Sequence, residues 1–204
     1  ISPAAIVAEE AIQREIVLLE LSKAEQRLED LAFELLAAAS PLCEDDVTRT
    51  IGLSFRTIHG YDGEWSIAAR AALGLTETLT ITSVAAGSPA ATAGIQEGDR
   101  LLVAGGSQIP VGSEAPEVAQ EAINTAASLG DVRLTVRGAE GDREVIITPV
   151  PACDYGLVVP VEGGINAWAD GENIVFPWAM MRFANDDELR VILSHEIAHN
   201  AMGH

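Results

Sequence analysis

The middle of the chain carries the stretch that decides its fold: Val84-Ala85-Ala86-Gly87-Ser88-Pro89-Ala90-Ala91-Thr92-Ala93-Gly94-Ile95-Gln96-Glu97-Gly98-Asp99-Arg100-Leu101-Leu102. Its small residues favour a short helix, after which Gly98-Asp99 favours a turn into a strand. Upstream, residues 79–84 and 51–58 alternate like strands, and residues 64–73 have a helical pattern. This part of the chain is therefore predicted to mix short strands with short helices.

The same stretch closely resembles the central motif of PDZ domains, in which small residues and glycines fall at tight turns. The resemblance continues through Val103-Ala104-Gly105-Gly106, a helix at residues 116–129 and strands at residues 132–137 and 144–150. It covers roughly residues 48–150. It implies a PDZ-like, partly open β-barrel with helices.

PDZ domains bind extended peptides by adding a strand beside one of their own, and they usually capture a C-terminal carboxylate on backbone N–H groups. The resemblance therefore implies polypeptide partners that are recognised through C-termini or extended segments. Two stretches are candidates for the carboxylate loop, Leu73-Gly74-Leu75 and Ile51-Gly52-Leu53. The alternative is a PDZ fold that serves only as a spacer or lid.

The two cysteines, Cys43 and Cys153, lie just outside this segment. If residues 48–150 are an inserted domain, the chain enters and leaves it at neighbouring points, where a disulfide can close. A disulfide implies an oxidising compartment, so we expect a periplasmic or secreted protein whose signal peptide has been removed. The alternative is a pair of buried thiols in a cytoplasmic protein.

The N-terminal residues, from about Pro3 to Ala39, have the composition of a single long helix that ends at Ser40-Pro41. Apolar side chains recur every three to four residues at Ile12, Ile16, Leu19, Leu21, Leu28, Leu31 and Leu35. Such a stripe covers the core of its own chain. The alternative is pairing with a second copy, which would make a homodimer through this helix.

Residues 194–204, SHEIAHNAMGH, contain three of the four histidines and the pattern His-Glu-x-x-His. On a helix, His195 and His199 face the same way and can both bind one Zn²⁺ ion. Glu196 lies beside them, where its carboxylate can take a proton from a water whose pKa the metal lowers to about 7. This pattern predicts a zinc hydrolase with Glu196 as the catalytic base.

A water-activating zinc site needs a third protein ligand. On a continuing helix His204 would point away from the metal, although Gly203 could turn the chain. We therefore expect a catalytic domain that is truncated before its third ligand and binds zinc weakly. The alternative is structural, with the two histidines as ordinary polar residues of a buried helix.

Residues 161–204 resemble the gluzincin family of metallopeptidases that holds the CAAX-prenyl proteases and the HtpX-like heat-shock proteases, metallopeptidase family 48. The resemblance rests on Gly164-Ile165-Asn166-Ala167-Trp168-Ala169-Asp170-Gly171-Glu172-Asn173-Ile174-Val175-Phe176, on residues 181–190 and on the zinc motif. It implies that Asn166, Ala167, Trp168 and Ala169 hold substrate backbone as an added strand. It further implies a downstream Glu as third ligand, which has no counterpart here.

The composition of the chain limits the classes of partner that it can bind. The 204 residues carry a formal charge of −19, so no basic surface is available for nucleic acid or anionic lipid. No apolar run approaches the length of a membrane span. Nucleic-acid and membrane-spanning classes are thereby disfavoured.

Together these patterns predict an α+β chain in three parts. Residues 1–47 form the long helix, which belongs with the peptidase domain; residues 48–150 form the PDZ domain; and residues 151–204 form the N-terminal portion of a zincin-type metallopeptidase domain. The expected function is zinc-dependent endopeptidase activity on proteins or peptides, with the PDZ domain recruiting or regulating. The alternatives are a peptide-binding PDZ module with an inactive zinc site, and a structural subunit.

Overall fold

The computed structural model describes residues 2–203. The helices are α1 (Pro3–Ala39), α2 (Gly63–Leu73), α3 (Pro89–Thr92), α4 (Ala115–Leu129), α5 (Trp178–Phe183) and α6 (Asp186–Met202). The strands are β1 (Val47–Thr50), β2 (Leu53–Arg56), β3 (Thr80–Val84), β4 (Arg100–Ala104), β5 (Ser107–Gln108), β6 (Val132–Gly138), β7 (Gly141–Ile147), β8 (Val150–Cys153), β9 (Gly156–Val158), β10 (Trp168–Ala169) and β11 (Asn173–Val175). The α+β class and the long N-terminal helix predicted from the sequence are confirmed.

The middle of the chain folds as one antiparallel sheet, in the order β2-β3-β4-β6-β7, with β5 paired to β4. We call residues 53–147 the PDZ unit. Helix α4 lies against this sheet because its apolar residues recur every four positions, at Ala115, Ala119, Ile123 and Ala127. These residues join the strands in one core with fully buried Leu79, Ile81, Leu101 and Leu134. The predicted PDZ-like architecture is confirmed.

Two strands differ in extent from the prediction. The strand expected at residues 51–58 is confined to β2, because Gly52 has a φ of +75° and turns the chain just before it. The strand expected at residues 144–150 ends at Ile147 and a new strand begins at Val150. Pro149 and Pro151 flank that start, and proline has no N–H for a strand ladder.

The two ends of this middle segment meet. Strand β1 pairs antiparallel with β8, with Val47 opposite Cys153 and Thr50 opposite Val150. Cys43 and Cys153 form a disulfide with their Cα atoms 5.7 Å apart. The chain therefore enters and leaves the PDZ unit through one two-stranded ribbon.

Helix α1 packs against two different cores. Its Leu18 joins a small core with Ile58, Ala68, Ala69 and Leu75, beside helix α2. Its second half supplies Ala24, Leu28, Leu31, Ala32 and Leu36 to the core of residues 151–203. Ile12 and Ile16 in the first half of the predicted stripe are about half exposed. The helix thus covers its own chain mainly through its second half.

Residues 151–203, here called the peptidase segment, form a small sheet in the order β10-β11-β9 and the helices α5 and α6. Strand β10 is antiparallel to β11, and β11 is parallel to β9. Phe176, Leu189 and Leu193 are fully buried against α1. Within residues 2–203, no helix combines the length and hydropathy needed to cross a membrane.

Candidate metal centre and peptide cleft

Helix α6 has strong signals at both ends. Asn185 accepts hydrogen bonds from the backbone N–H groups of Asp187 and Glu188, and the Glu188 side chain accepts one from the N–H of Asn185. Gly203 ends the helix in the left-handed conformation, at a φ of +67°. The predicted helix under the zinc motif is therefore well defined.

The two motif histidines converge on one point. The Nε2 atoms of His195 and His199 are 2.9 Å apart, and the ring planes are nearly perpendicular, at 89°. Two nitrogen ligands of a tetrahedral zinc ion, each at 2.0–2.1 Å, would be about 3.3 Å apart. The two imidazoles therefore fit a shared metal ion after a shift of a few tenths of an ångström.

Glu196 lies beside this pair and is 7% exposed. Its carboxylate has no hydrogen-bond or ion-pair partner among residues 2–203, although its oxygens are not sealed from solvent. A largely buried carboxylate without a partner is costly unless a cation or water compensates it. The chemistry of Glu196 thus agrees with a metal and a water at this place.

No cluster of three or more His, Cys, Asp or Glu side chains able to hold a metal occurs within the described residues. His204, considered above as a further ligand, lies outside them. Within the part of the chain that the structure describes, the predicted metal ligands are therefore His195 and His199.

The predicted substrate segment lies at the edge of the small sheet. Trp168 and Ala169 form β10, which pairs with β11 on one side, and Trp168 is 42% exposed. Asn166 is exposed and Ala167 is buried, and both precede the strand. Helix α6 packs against both β10 and β11. Strand β10 thus packs against the histidine helix, and within the described residues its one strand neighbour is β11.

Sequence reasoning missed Asn200, the residue that follows His199. Its side chain is buried and links α6 to the turn between β10 and β11. A polar residue on the buried side of a helix with Leu189, Leu193 and Ile197 was the available signal.

A cleft of about 360 Å³ lies between the PDZ unit, α1 and the peptidase segment. Its walls include Ile51, Gly52, Leu53 and Phe55 beside and on β2, Gln120, Ile123 and Asn124 on α4, and Phe33 and Leu36 on α1. We call it the PDZ cleft. Of the two candidate carboxylate loops, Ile51-Gly52-Leu53 directly precedes the edge strand β2, whereas Gly74 only ends helix α2.

Tyr155 also lines the PDZ cleft. Its hydroxyl is buried and is the one such side-chain polar atom without a hydrogen-bond partner in residues 2–203. Burial raises the pKa of this phenol, and the nearby Asp46 carboxylate adds to the effect.

Comparisons with known proteins identify both parts. Residues 80–138 match the PDZ domain family, and residues 146–204 match Peptidase family M48. The chain joins a PDZ domain to a peptidase family M48 region. The family assignment made from the sequence is confirmed, and a search of curated proteins found no match.

Two solved structures are among those similar to this chain. The PDZ domain of HtrA3, bound to a phage-derived ligand, is 26% identical, with a TM-score of 0.38 over 52% of this chain and 88% of that one. The HtrA-type protease AlgW with a decapeptide is 14% identical, with a TM-score of 0.37 over 57% of this chain. The chain spans 33% of that protease.

Proposed function

We propose that this chain is the PDZ-containing part of a zinc-dependent endopeptidase that acts on proteins or peptides. The observation that carries the proposal is the convergence of His195 and His199, with their Nε2 atoms 2.9 Å apart, together with the buried Glu196 that follows His195. The match of this region to a peptidase family supports it.

In this proposal His195 and His199 hold the zinc ion. When bound, zinc supplies a Lewis acid for the scissile carbonyl and makes a coordinated water more acidic. Glu196 takes a proton from the attacking water and delivers it to the leaving amine nitrogen. Because its carboxylate has no other partner in the described chain, it is available for both transfers.

The third zinc ligand, on this proposal, lies outside residues 2–203. It follows that residues 1–204 alone bind zinc weakly, and that a chain which continues past His204 binds it stoichiometrically. Elemental analysis of the two forms tests this. Equal, tight zinc binding by residues 1–204 would point instead to His204 or to a partner chain as the third ligand.

Substrate backbone would add to the free side of β10, with Asn166, Ala167, Trp168 and Ala169 as the contacting segment. An extended chain bound there forms main-chain hydrogen bonds irrespective of its sequence. The exposed face of Trp168 then offers an apolar contact to one substrate side chain. Unfolded or terminal segments of proteins are the substrates that fit an edge strand.

The PDZ cleft would recruit such substrates or regulate the peptidase. Strand β2 offers its edge and Ile123 gives an apolar wall. The cleft does not include His195, Glu196 or His199, so binding and cleavage would use separate places.

We further propose that residues 48–150 are inserted into the peptidase domain, to which helix α1 belongs. The β1–β8 ribbon and the shared core of α1 with the peptidase segment support this. The disulfide supports a periplasmic or secreted location.

Helix α1 is the candidate surface for a homodimer, because it exposes Ile6, Val7, Ile12 and Ile16. Measuring the molar mass by light scattering at several protein concentrations would test this.

A second candidate function is a peptide-binding PDZ module whose zinc site is inert, favoured by the absence of a third ligand among the described residues. Substitution Glu196→Gln separates the two. For the peptidase we expect hydrolysis of an unfolded protein to fall by at least about a hundredfold, while zinc content and peptide affinity stay the same. Unchanged hydrolysis would reject the mechanism, and peptide binding without hydrolysis in any zinc-loaded form would favour the binding module.

A further inference from the structure

Asn200 ties the histidine helix to the strand that would hold substrate. Its Oδ1 accepts a hydrogen bond from the Gly171 N–H at 2.8 Å, and its Nδ2 donates to the Asn173 carbonyl at 3.3 Å. Gly171 lies in the turn between β10 and β11, and Asn173 begins β11. The Asn200 side chain, next in sequence to His199, therefore forms hydrogen bonds with both sides of the hairpin turn.

The turn itself is closely built. The Asp170 carboxylate accepts hydrogen bonds from the backbone N–H groups of Glu172 and Asn173, and these bonds hold its pKa below the usual value. Gly171 has a φ of +97°, which favours glycine. A Cβ on Gly156 of the neighbouring strand would meet Asn173 Oδ1 at 2.3 Å. Because the turn is constrained in this way, the position of Asn200 fixes the position of β10.

The position of Asn200 along α6 matters for the proposed chemistry. Backbone hydrogen bonds give an added strand its register, but nothing in them relates that register to the reacting centre. A bond from the residue after His199 to the turn that follows Ala169 supplies this relation. A 1 Å misplacement of substrate costs on the order of a hundredfold in rate.

We propose that Asn200 is a positioning residue, which sets the position of the β10 edge relative to His195 and His199. It thereby determines how tightly a peptide binds and which of its bonds is cleaved. This inference rests on the proposed peptidase function. Asn200 acts through the hairpin and contacts neither substrate nor metal.

The test uses Asn200→Ala in the zinc-loaded protein, with Met202→Ala as control. Met202 is 68% exposed at the same end of α6, and its side chain makes no hydrogen bond to another residue of the described range 2–203. We expect Asn200→Ala to lose hydrogen-exchange protection at the Gly171 amide, to keep its zinc content, and to raise KM about tenfold, as expected for the loss of about 1.4 kcal/mol of binding. It should also spread cleavage of a defined peptide over neighbouring bonds. Met202→Ala should match the unmodified protein in all four.

Unchanged protection of Gly171, or an unchanged KM and cleavage site, would overturn the proposal. Asn200→Asp keeps the acceptor for Gly171 but loses the donor to Asn173, so it should retain protection at Gly171 if the alanine variant fails to fold. Peptide binding measured in a Glu196→Gln background keeps the two proposals distinct. There, a tenfold weaker affinity with Asn200→Ala supports the positioning role even if the unmodified protein hydrolyses nothing, and an equal affinity refutes it.

Discussion

Gly52 stands where three parts of the molecule meet. Its φ of +75° turns the chain from β1 into the edge strand β2. A Cβ on this residue would lie 2.4 Å from the Ser88 Cβ and 2.8 Å from the Phe33 ring, which belongs to α1. The glycine is required both by backbone conformation and by the close approach of its neighbours.

We predict that Gly52→Ala lowers the free energy of unfolding by about 2 kcal/mol or more, since strain at positive φ adds to overpacking. For a chain of this size that is a fall in thermal midpoint of roughly 4–8 °C. The control is Gly87→Ala, which has the same φ of +75° but no atom within 4 Å of the added Cβ. Equal midpoints for the two variants would show that the contacts of Gly52 with Ser88 and Phe33 do not matter.

Glu29 is a half-buried acid at the contact between α1 and the PDZ unit. Its carboxylate accepts hydrogen bonds from the Ser54 and Ser83 hydroxyls. Burial raises the pKa of Glu29, and the two hydroxyls offset only part of that rise. The folded state therefore binds a proton on the Glu29 carboxylate more tightly than the unfolded chain does.

The sign of the resulting pH effect follows from this raised pKa. The stabilising contribution of protonated Glu29 is complete below the pKa of the unfolded chain and is lost as pH rises through the folded pKa. We predict that Glu29→Gln raises the thermal midpoint at neutral pH, and that the gain shrinks towards about pH 4. Glu34→Gln, an exposed position on the same helix, removes the same charge as a control. Identical pH profiles for the two variants would contradict the prediction.

At the scale of elements, α1 connects the PDZ unit to the peptidase segment. One side of it carries Glu25, Gln26, Glu29 and Asp30, which bind the PDZ unit through Arg56, the Val84 backbone, the two serines and the Ala86 N–H. On another side, Arg27 donates to the carbonyls of Met181 and Ala184 and pairs with Asp186. Arg27 thus joins the end of α5 to the start of α6.

We predict that Arg27→Ala destabilises the protein by about 1.5–3 kcal/mol, because it leaves carbonyls at the C-terminal end of α5 without their charged donor. Lys23→Ala is the matched control on the same helix. Lys23 is 70% exposed and, among the described residues, its ion pair is with Glu20, so little change is expected. Urea unfolding of both variants measures the difference, and a loss in Arg27→Ala no larger than in Lys23→Ala would refute it.

At the scale of the whole molecule, the β1–β8 ribbon and the disulfide join the two ends of the segment that forms the PDZ unit. Cys43 and Cys153 are 110 residues apart in sequence. The chain-entropy model assigns about 5 kcal/mol to closing a loop of that length. The ribbon pairs four residues on each strand beside this covalent bond.

We predict that replacing both cysteines by serine keeps the fold but lowers the free energy of unfolding by up to about 5 kcal/mol. The urea midpoint should fall accordingly. Adding a reductant should lower the midpoint of the unmodified protein to the same value and leave the serine variant unchanged. A reductant effect on the serine variant, or none on the unmodified protein, would show that the disulfide does not stabilise the molecule.

The sequence by itself determined the local elements and the chemistry of the motif. Helix α1 and helix α4 were predictable to within a residue or two because a hydrophobic period of three to four residues and terminal prolines are local signals. His195, Glu196 and His199 were identifiable because the helical repeat alone brings i and i+4 side chains together. The turns of the PDZ motif were readable from glycine for the same local reason.

Only the tertiary structure decided which distant residues meet. The hydrogen bond between Asn200 and Gly171 spans 29 residues of sequence, and Phe33 lies against Gly52 from another part of the chain. The same holds for the place of Ile51-Gly52-Leu53 directly before an edge strand, a place that Leu73-Gly74-Leu75 does not share. Such contacts depend on how the elements pack, and packing is a property of the whole chain that no local period or propensity records.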